Sequence, residues 1–370
     1  MDGSEEVFGT MPRLHIDLKK IEQNARLLSE LIEPFGLRLV VVTKACLGDG
    51  RVAAAMLAGA ATAGHGVADS RLENIKRVRQ RLPGLGEGEV ELLRPPLESG
   101  RLVPNLVYYV TSTEQAEALL AKRPYKYYQM SLCLQVDTGD GREGVPAGQA
   151  AAEAKKIAEL DGAHFTGIAT NLACADPSVP LKEALLLFGR TAAEVRGSTT
   201  VSAGGSGLLK LLLELPAGEA APLFGPLTEL RCGEAILLGR IPSGEKPELY
   251  LPGANRDAFI LEGAVLEVYA KAGRRQALVD IGVQDIGAGG LAPLDAGIKP
   301  VSATSDYLVV ELEGAAGGIA AGSGATGDAA ASGGSAPAAG SHLSFIPDYY
   351  ALVGAMTSPF VDKIYKGKMV

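Results

Sequence analysis

The chain has 370 residues, 47% hydrophobic and 21% charged, with a formal net charge of -8. That length exceeds one small core and predicts a large domain with a smaller one, and the acidic balance argues against a nucleic-acid surface. The opening "MDGSEEVFGT" is acidic and lacks the apolar core of a signal peptide; no apolar stretch is long enough for a bilayer span.

From residue 12 to about 245 two kinds of segment alternate. The stretch "DLKKIEQNARLLSELIEPFG" carries apolar residues at i, i+3 and i+4 and stops on Gly36, which predicts a helix. "LRLVVVTK" follows, an apolar run of the kind a fully buried parallel strand shows. Seven further β-rich runs come in order: "TAGHGVAD", "VELLRPP", "LVYYVTS", "YQMSLCLQVD", "FTGIATNL", "STTVSAGG" and "ELRCGEAI". Helix-like segments such as "TSTEQAEALLAK" and "GQAAAEAKKIAELDG" separate them, with a capping Thr or Ser at one start and Gly at one stop. Eight strand–helix units in this length predict a (β/α)8 TIM barrel, an α/β fold. Beyond it "DAFILEGAVLEVYAKAG", "RRQALVDIGVQD" and "SDYLVVELEG" are strands without helices between them. Residues 246–370, with 1–11, are therefore expected to form a smaller all-β domain. Its Gly/Ala-rich insertion at 314–341 buries too little apolar surface to order itself.

In a barrel the catalytic side chains stand at the C-terminal ends of strands. Lys44 ends the first strand, either as a surface lysine or as a partly desolvated nucleophile able to form a Schiff base. After the seventh strand "SAGGSG" lets backbone N–H groups approach a phosphate; Ser206 adds a hydroxyl, and the helix starting "GLLKLLLELP" favours the same anion. Arg231 ends the eighth strand, either at a ligand or in an ion pair with Glu234. Cys46, Cys133, Cys174 and Cys232 are widely spaced with no CxxC or Cys/His cluster, so reduced thiols in a cytoplasm and no metal centre are expected.

Together with "VVTKA", "ADSRLENIK", "LLRPP", "VDTGDGREG", "GIATNLACAD", "RCGEAILLGR" and "AMTSPFV", this order resembles the fold-type III pyridoxal-phosphate enzymes. Within them it resembles the alanine racemase family, and most of all the ornithine racemases. The resemblance implies pyridoxal 5'-phosphate as cofactor, a cytoplasmic homodimer with active sites completed in trans, and racemisation of an amino acid. It implies Lys44 as cofactor anchor and proton-transfer base, Ser206, Gly233 and Tyr350 (or neighbouring Tyr349) at the phosphate, and Arg231 at the pyridine nitrogen. It also implies Arg142 near the substrate carboxylate and Asn171 beside the ring.

Departures from the family pattern narrow the substrate. Val283 stands where alanine racemases place a catalytic tyrosine from the partner, and Gln135 replaces an often carbamylated lysine. The space so opened predicts a longer substrate, ornithine or lysine, with Asp140, Asp285 and Asp306 as acidic partners for its distal ammonium. Asp285, Asp306, Tyr307 and Cys174 are candidates for the second proton carrier, Asp285 first among them. Alternative readings are a non-catalytic pyridoxal-phosphate homeostasis protein, an alanine racemase with an altered second base, and a related two-domain decarboxylase.

Overall fold

The computed structural model describes residues 11–63, 65–86, 88–94, 102–172, 179–244, 247–313 and 337–367. Cys174 and most of the Gly/Ala insertion lie outside them. Contacts among these residues define two compact units, one of residues 17–258 with 366–367, the other of 11–16 with 259–365.

The larger unit is a closed barrel of eight parallel strands. They are β1 (Arg38–Val42), β2 (His65–Asp69), β3 (Val90–Leu92), β4 (Val107–Val110), β5 (Met130–Asp137), β6 (Ala163–Asn171), β7 (Thr200–Gly204) and β8 (Glu229–Cys232). Each pairs with its sequence neighbour, and β8 returns to β1 with Arg231 opposite Val40. All eight coincide with the β-rich runs of the sequence. The reason is visible in β1, where Leu39 to Val42 are all buried, with apolar packing on both faces.

The helix ahead of β1, Leu18–Ile32, is capped by Asp17, whose carboxylate accepts from the N–H groups of Lys19 and Lys20. Leu18, Ile21, Ala25, Leu28 and Ile32 form its buried stripe. Where the sequence predicts one helix from "GLLKLLLELP", the chain makes a 3-10 turn, Ser206–Leu208, and then the six-residue Leu209–Glu214. Pro216 then starts the break to a second helix, Ala217–Phe224.

The smaller unit is an eight-stranded sheet whose described pairings are antiparallel, built around the long strand Phe259–Lys271. Arg13–Asp17 joins it by pairing Ile16 with Phe259. Residues 247–258 stay with the barrel unit, where Asn255 bonds back to Asn24. The expectation of an all-β domain needs two amendments: Val283–Ile286 is a four-residue helix, and Tyr349–Thr357 is a nine-residue helix, N-capped by Asp348. Its run of small and apolar residues is also compatible with a strand, and the cap decides for a helix.

Candidate active site

Lys44 is the second residue past β1 and opens a 3-10 turn, Lys44–Cys46, which Leu47 and Gly48 end with positive φ angles. The buried residue is Thr43, whereas Lys44 is exposed. Thr43 donates its hydroxyl to Asp69 Oδ2 at 2.7 Å, and its N–H reaches the Ala68 carbonyl at 3.1 Å. Asp69 Oδ1 accepts from Arg71 N at 2.9 Å and Asn74 Nδ2 at 3.0 Å. Burial raises the Asp69 carboxyl above its usual range, while these hydrogen bonds oppose the shift. The apolar strand therefore finishes on Lys44 because its last buried residue, Thr43, is latched to the neighbouring strand, which leaves the lysine exposed just past the strand end.

Arg231 is 2% exposed and lies opposite Gly204 in β7. Its Nη1 donates to Ser202 Oγ and, at 3.2 Å, to Tyr109 Oη. Its Nη2 donates to the Thr170 carbonyl at 2.8 Å and to Asn171 Oδ1 at 3.0 Å. A guanidinium has five N–H groups. Four are thus matched among the described residues, and the Nε–H is left for something else. Burial pulls the Arg231 pKa down, but Tyr109, Glu91, Glu229 and Cys133 outweigh it, and the group stays charged. The expected alternative, a pair with Glu234, is not formed: Glu234 lies 3.6 Å from Arg240.

Asn171, the last residue of β6, passes the chain of contacts on, donating from Nδ2 to Glu143 Oε1 at 2.7 Å. Glu143 also accepts from Arg142 Nη2 at 2.9 Å and from Gln135 Nε2 at 3.4 Å. Asp140 sits 3.8 Å from Arg142 Nε. Arg231, Asn171, Glu143 and Arg142 therefore form one polar chain along the barrel mouth. The sequence reading missed Glu143, although its place beside Arg142 in "GREG" was a usable signal.

The turns after β7 and β8 are tied together by Ser206, whose buried hydroxyl accepts from Ala235 N at 3.2 Å, and by Gly205 N, which donates to the Arg231 carbonyl at 3.1 Å. Side chains are excluded here by sterics. A Cβ on Gly204 would stand 2.6 Å from Arg231 Nη2, and one on Gly233 2.8 Å from the Val42 carbonyl. The result is a cradle of backbone with one hydroxyl, beside a buried cation.

The remaining expected site residues belong to the β unit. Tyr350 is 69% exposed at the start of its helix, edge-on to Tyr349 at 5.7 Å. Asp306 is exposed and accepts from Gln284 Nε2 at 2.8 Å and Ser305 Oγ at 2.7 Å. Asp285 is buried, accepting from Gly282 N at 2.8 Å and from Ser358 Oγ at 3.5 Å. Burial raises its carboxyl, and these contacts are those of a helix cap. Among the described residues no group of three or more His, Cys, Asp or Glu is arranged to hold a metal ion, and no helix is long and apolar enough to cross a membrane.

A closed barrel with a lysine, a glycine-and-serine cradle and a buried arginine at the C-terminal ends of β1, β7 and β8, in one chain with an antiparallel β unit, defines a class of enzyme. The model of the alanine racemase N-terminal domain matches residues 16–239. The lysine racemase of Thermotoga maritima is 30% identical over 96% of this chain and 98% of its own length. The ornithine racemase of Acetoanaerobium sticklandii is 25% identical over 95% and 99%. Among solved structures, alanine racemase from Corynebacterium glutamicum superposes with a TM-score of 0.66 at 18% identity, covering 96% of this chain and 100% of that one. D-threonine aldolase from Filomicrobium marinum gives 0.70 at 16% identity, covering 94% and 91%. The chain belongs to the alanine racemase family and is an amino-acid racemase. Its likeness to the two diamino-acid racemases runs through the β unit as well as the barrel, which sets aside the reading as a non-catalytic carrier.

Proposed function

We propose that this racemase works with pyridoxal 5'-phosphate at the C-terminal face of its barrel and interconverts the enantiomers of ornithine or lysine. One observation carries the cofactor reading: Arg231 is buried with four N–H groups matched, leaving Nε–H to take a ring nitrogen. The residues present fit the group. Ser206 and the backbone at Gly207 and Gly233 would hold its phosphate, and Lys44 would hold its aldehyde carbon. When bound, the cofactor supplies an electron sink that acidifies the substrate Cα–H.

Arg231 donates a hydrogen bond but cannot give up its proton, so it keeps the ring nitrogen unprotonated and the sink weak. Weak withdrawal favours return of the proton to Cα over transfer elsewhere, which suits racemisation. Lys44 Nζ moves the proton on one face of Cα. Arg142, aligned by Glu143, takes the substrate carboxylate. The other face requires a second carrier, and a homodimer in which the β unit of one chain completes the site of the other would bring Asp306 or Tyr307 to it. Both are exposed, together with Val283 at 46%.

Support for a diamino acid comes from the lysine and ornithine racemases aligned over nearly the whole chain. The buried Asp140 beside Arg142 adds a negative charge for a distal ammonium. The test is a chiral assay on L-ornithine, L-lysine, L-alanine and L-norvaline, with borohydride fixation of the cofactor. Fixation on Lys44 and a clear preference for the diamino acids are expected. Equal rates on ornithine and norvaline would refute recognition of the distal charge, and an adduct surviving Lys44→Ala would refute the anchor.

A further inference from the structure

Below Arg231 the barrel axis is polar. Tyr109 of β4 places its ring 5.1 Å from the Arg231 guanidinium carbon while its hydroxyl accepts from Nη1. The same hydroxyl donates to Glu91 Oε2 of β3 at 2.7 Å. Glu91 Oε1 in turn accepts from Arg38 Nη2 at 3.1 Å, and Arg38 Nε donates to Glu229 at 3.1 Å. Glu91, Tyr109 and Glu229 are each at most 2% exposed. Arg38 and Glu229 are the first residues of β1 and β8, so this ionic group sits at the N-terminal end of the barrel. A cavity of about 260 Å³ is found there, lined by Arg38, Glu91, Tyr109, Ser131, His164 and Thr200 among others.

We propose that Glu91, acting through the Tyr109 hydroxyl, is a positioning residue for Arg231: it fixes the guanidinium plane so that Nε–H points to the ring nitrogen. The proposal rests on the cofactor reading above. Its physical basis is directionality. A phenolic hydroxyl has one proton, and while Glu91 takes it, only an oxygen lone pair remains for Arg231 Nη1. Ser202 and Asn171 constrain two other N–H groups of the guanidinium, and Tyr109 ties the cation to a buried acid. Charge-assisted hydrogen bonds in such surroundings are the strong ones. Burial and the adjacent Glu229 push the Glu91 carboxyl well above its usual range, against the pull of Arg231 and Arg38. A core ion pair kept only for stability has no need to reach a side chain at the other end of the barrel.

Tyr109→Phe keeps the ring under the guanidinium and removes only the hydroxyl, and Glu91→Gln is isosteric. In cofactor-free protein with 15N-labelled arginine, at a pH above the raised titration of Glu91, the Arg231 Nε–H resonance should shift in both variants, and its exchange with water should quicken about tenfold, the scale of one lost hydrogen bond to a charged group. The double variant should be no worse than either single one, because both changes cut the same chain. Ser131→Ala, in the same cavity but off the chain, should leave the resonance unmoved. In the holoenzyme at the same pH, kcat should fall about tenfold with KM nearly unchanged, as for an interaction made in the transition state. An unmoved Nε–H resonance in Tyr109→Phe would overturn the proposal even if the wild type binds cofactor and racemises. So would losses of activity that are additive and follow Tm. If the resonance responds as expected but the wild type takes up no pyridoxal phosphate, the coupling stands and the cofactor reading falls.

Discussion

Gly204→Ala isolates the steric design of the site. Gly204 lies in β7, is buried, and has a φ outside the left-handed region, so alanine is conformationally allowed there. With no contacts in the way, the change would stabilise the protein by about 0.4–1 kcal/mol through the unfolded state. The new Cβ, however, would stand 2.6 Å from Arg231 Nη2, 2.7 Å from Asn171 Oδ1 and 3.1 Å from Arg231 Cζ. Nη2 and Oδ1 are the donor and acceptor of the part-buried Arg231–Asn171 hydrogen bond, and the Arg231 guanidinium is held by three further contacts. Overpacking of this kind costs about 1–3 kcal/mol. Breaking a hydrogen bond to a charged group adds about 1.5–3 kcal/mol. Since relief of the clash and loss of the bond overlap, a net destabilisation of about 2–4 kcal/mol is expected, which in a domain of this size lowers Tm by roughly 4–16 °C. Calorimetry on cofactor-free protein measures it without assuming any function. A Gly204→Ala protein as stable as the wild type, or more stable, would refute the claim that glycine is required by the Arg231–Asn171 bond.

Burial and the facing charge of Glu229 raise the Glu91 carboxyl well above the usual carboxylate range, against the pull of Arg231 and Arg38, so that it ionises only at a correspondingly higher pH. Ionised Glu91 is the better acceptor for Tyr109, so kcat should rise through that pH, and the part of the rise due to Glu91 should vanish in Glu91→Gln; superimposable profiles would refute it. Asp69→Ala should cost about 2–4 kcal/mol in urea unfolding by orphaning the Thr43 hydroxyl and the Asn74 amide, while Asp69→Asn should cost less. Asp285→Ala should lose about 1 kcal/mol as a lost cap, whereas Asp285→Asn should keep kcat within about threefold. A hundredfold loss in Asp285→Asn at unchanged Tm would make this residue the second proton carrier.

The barrel was legible in the chain because a strand buried on both faces writes itself as an apolar run, as Leu39 to Val42 do. The strand-end places of Lys44, Ser206 and Arg231 were legible for a related reason: a polar residue where such a run or a glycine turn ends lies at or just past the strand terminus. Local signals stop there. Tyr109 and Arg231 are 122 residues apart, Arg38 and Glu91 53, and Asn171 and Glu143 28, so these partners meet only once the barrel closes. Nothing in the period of β3 or β4 distinguishes Glu91 or Tyr109 from a surface residue or a core aromatic. Asp285 shows the converse. The backbone N–H of Gly282 and the hydroxyl of Ser358, 73 positions away, bond to its two oxygens, partners that its residue type does not announce. Side-chain chemistry is local to the sequence, whereas a buried polar group takes its role from the partners that the fold brings to it.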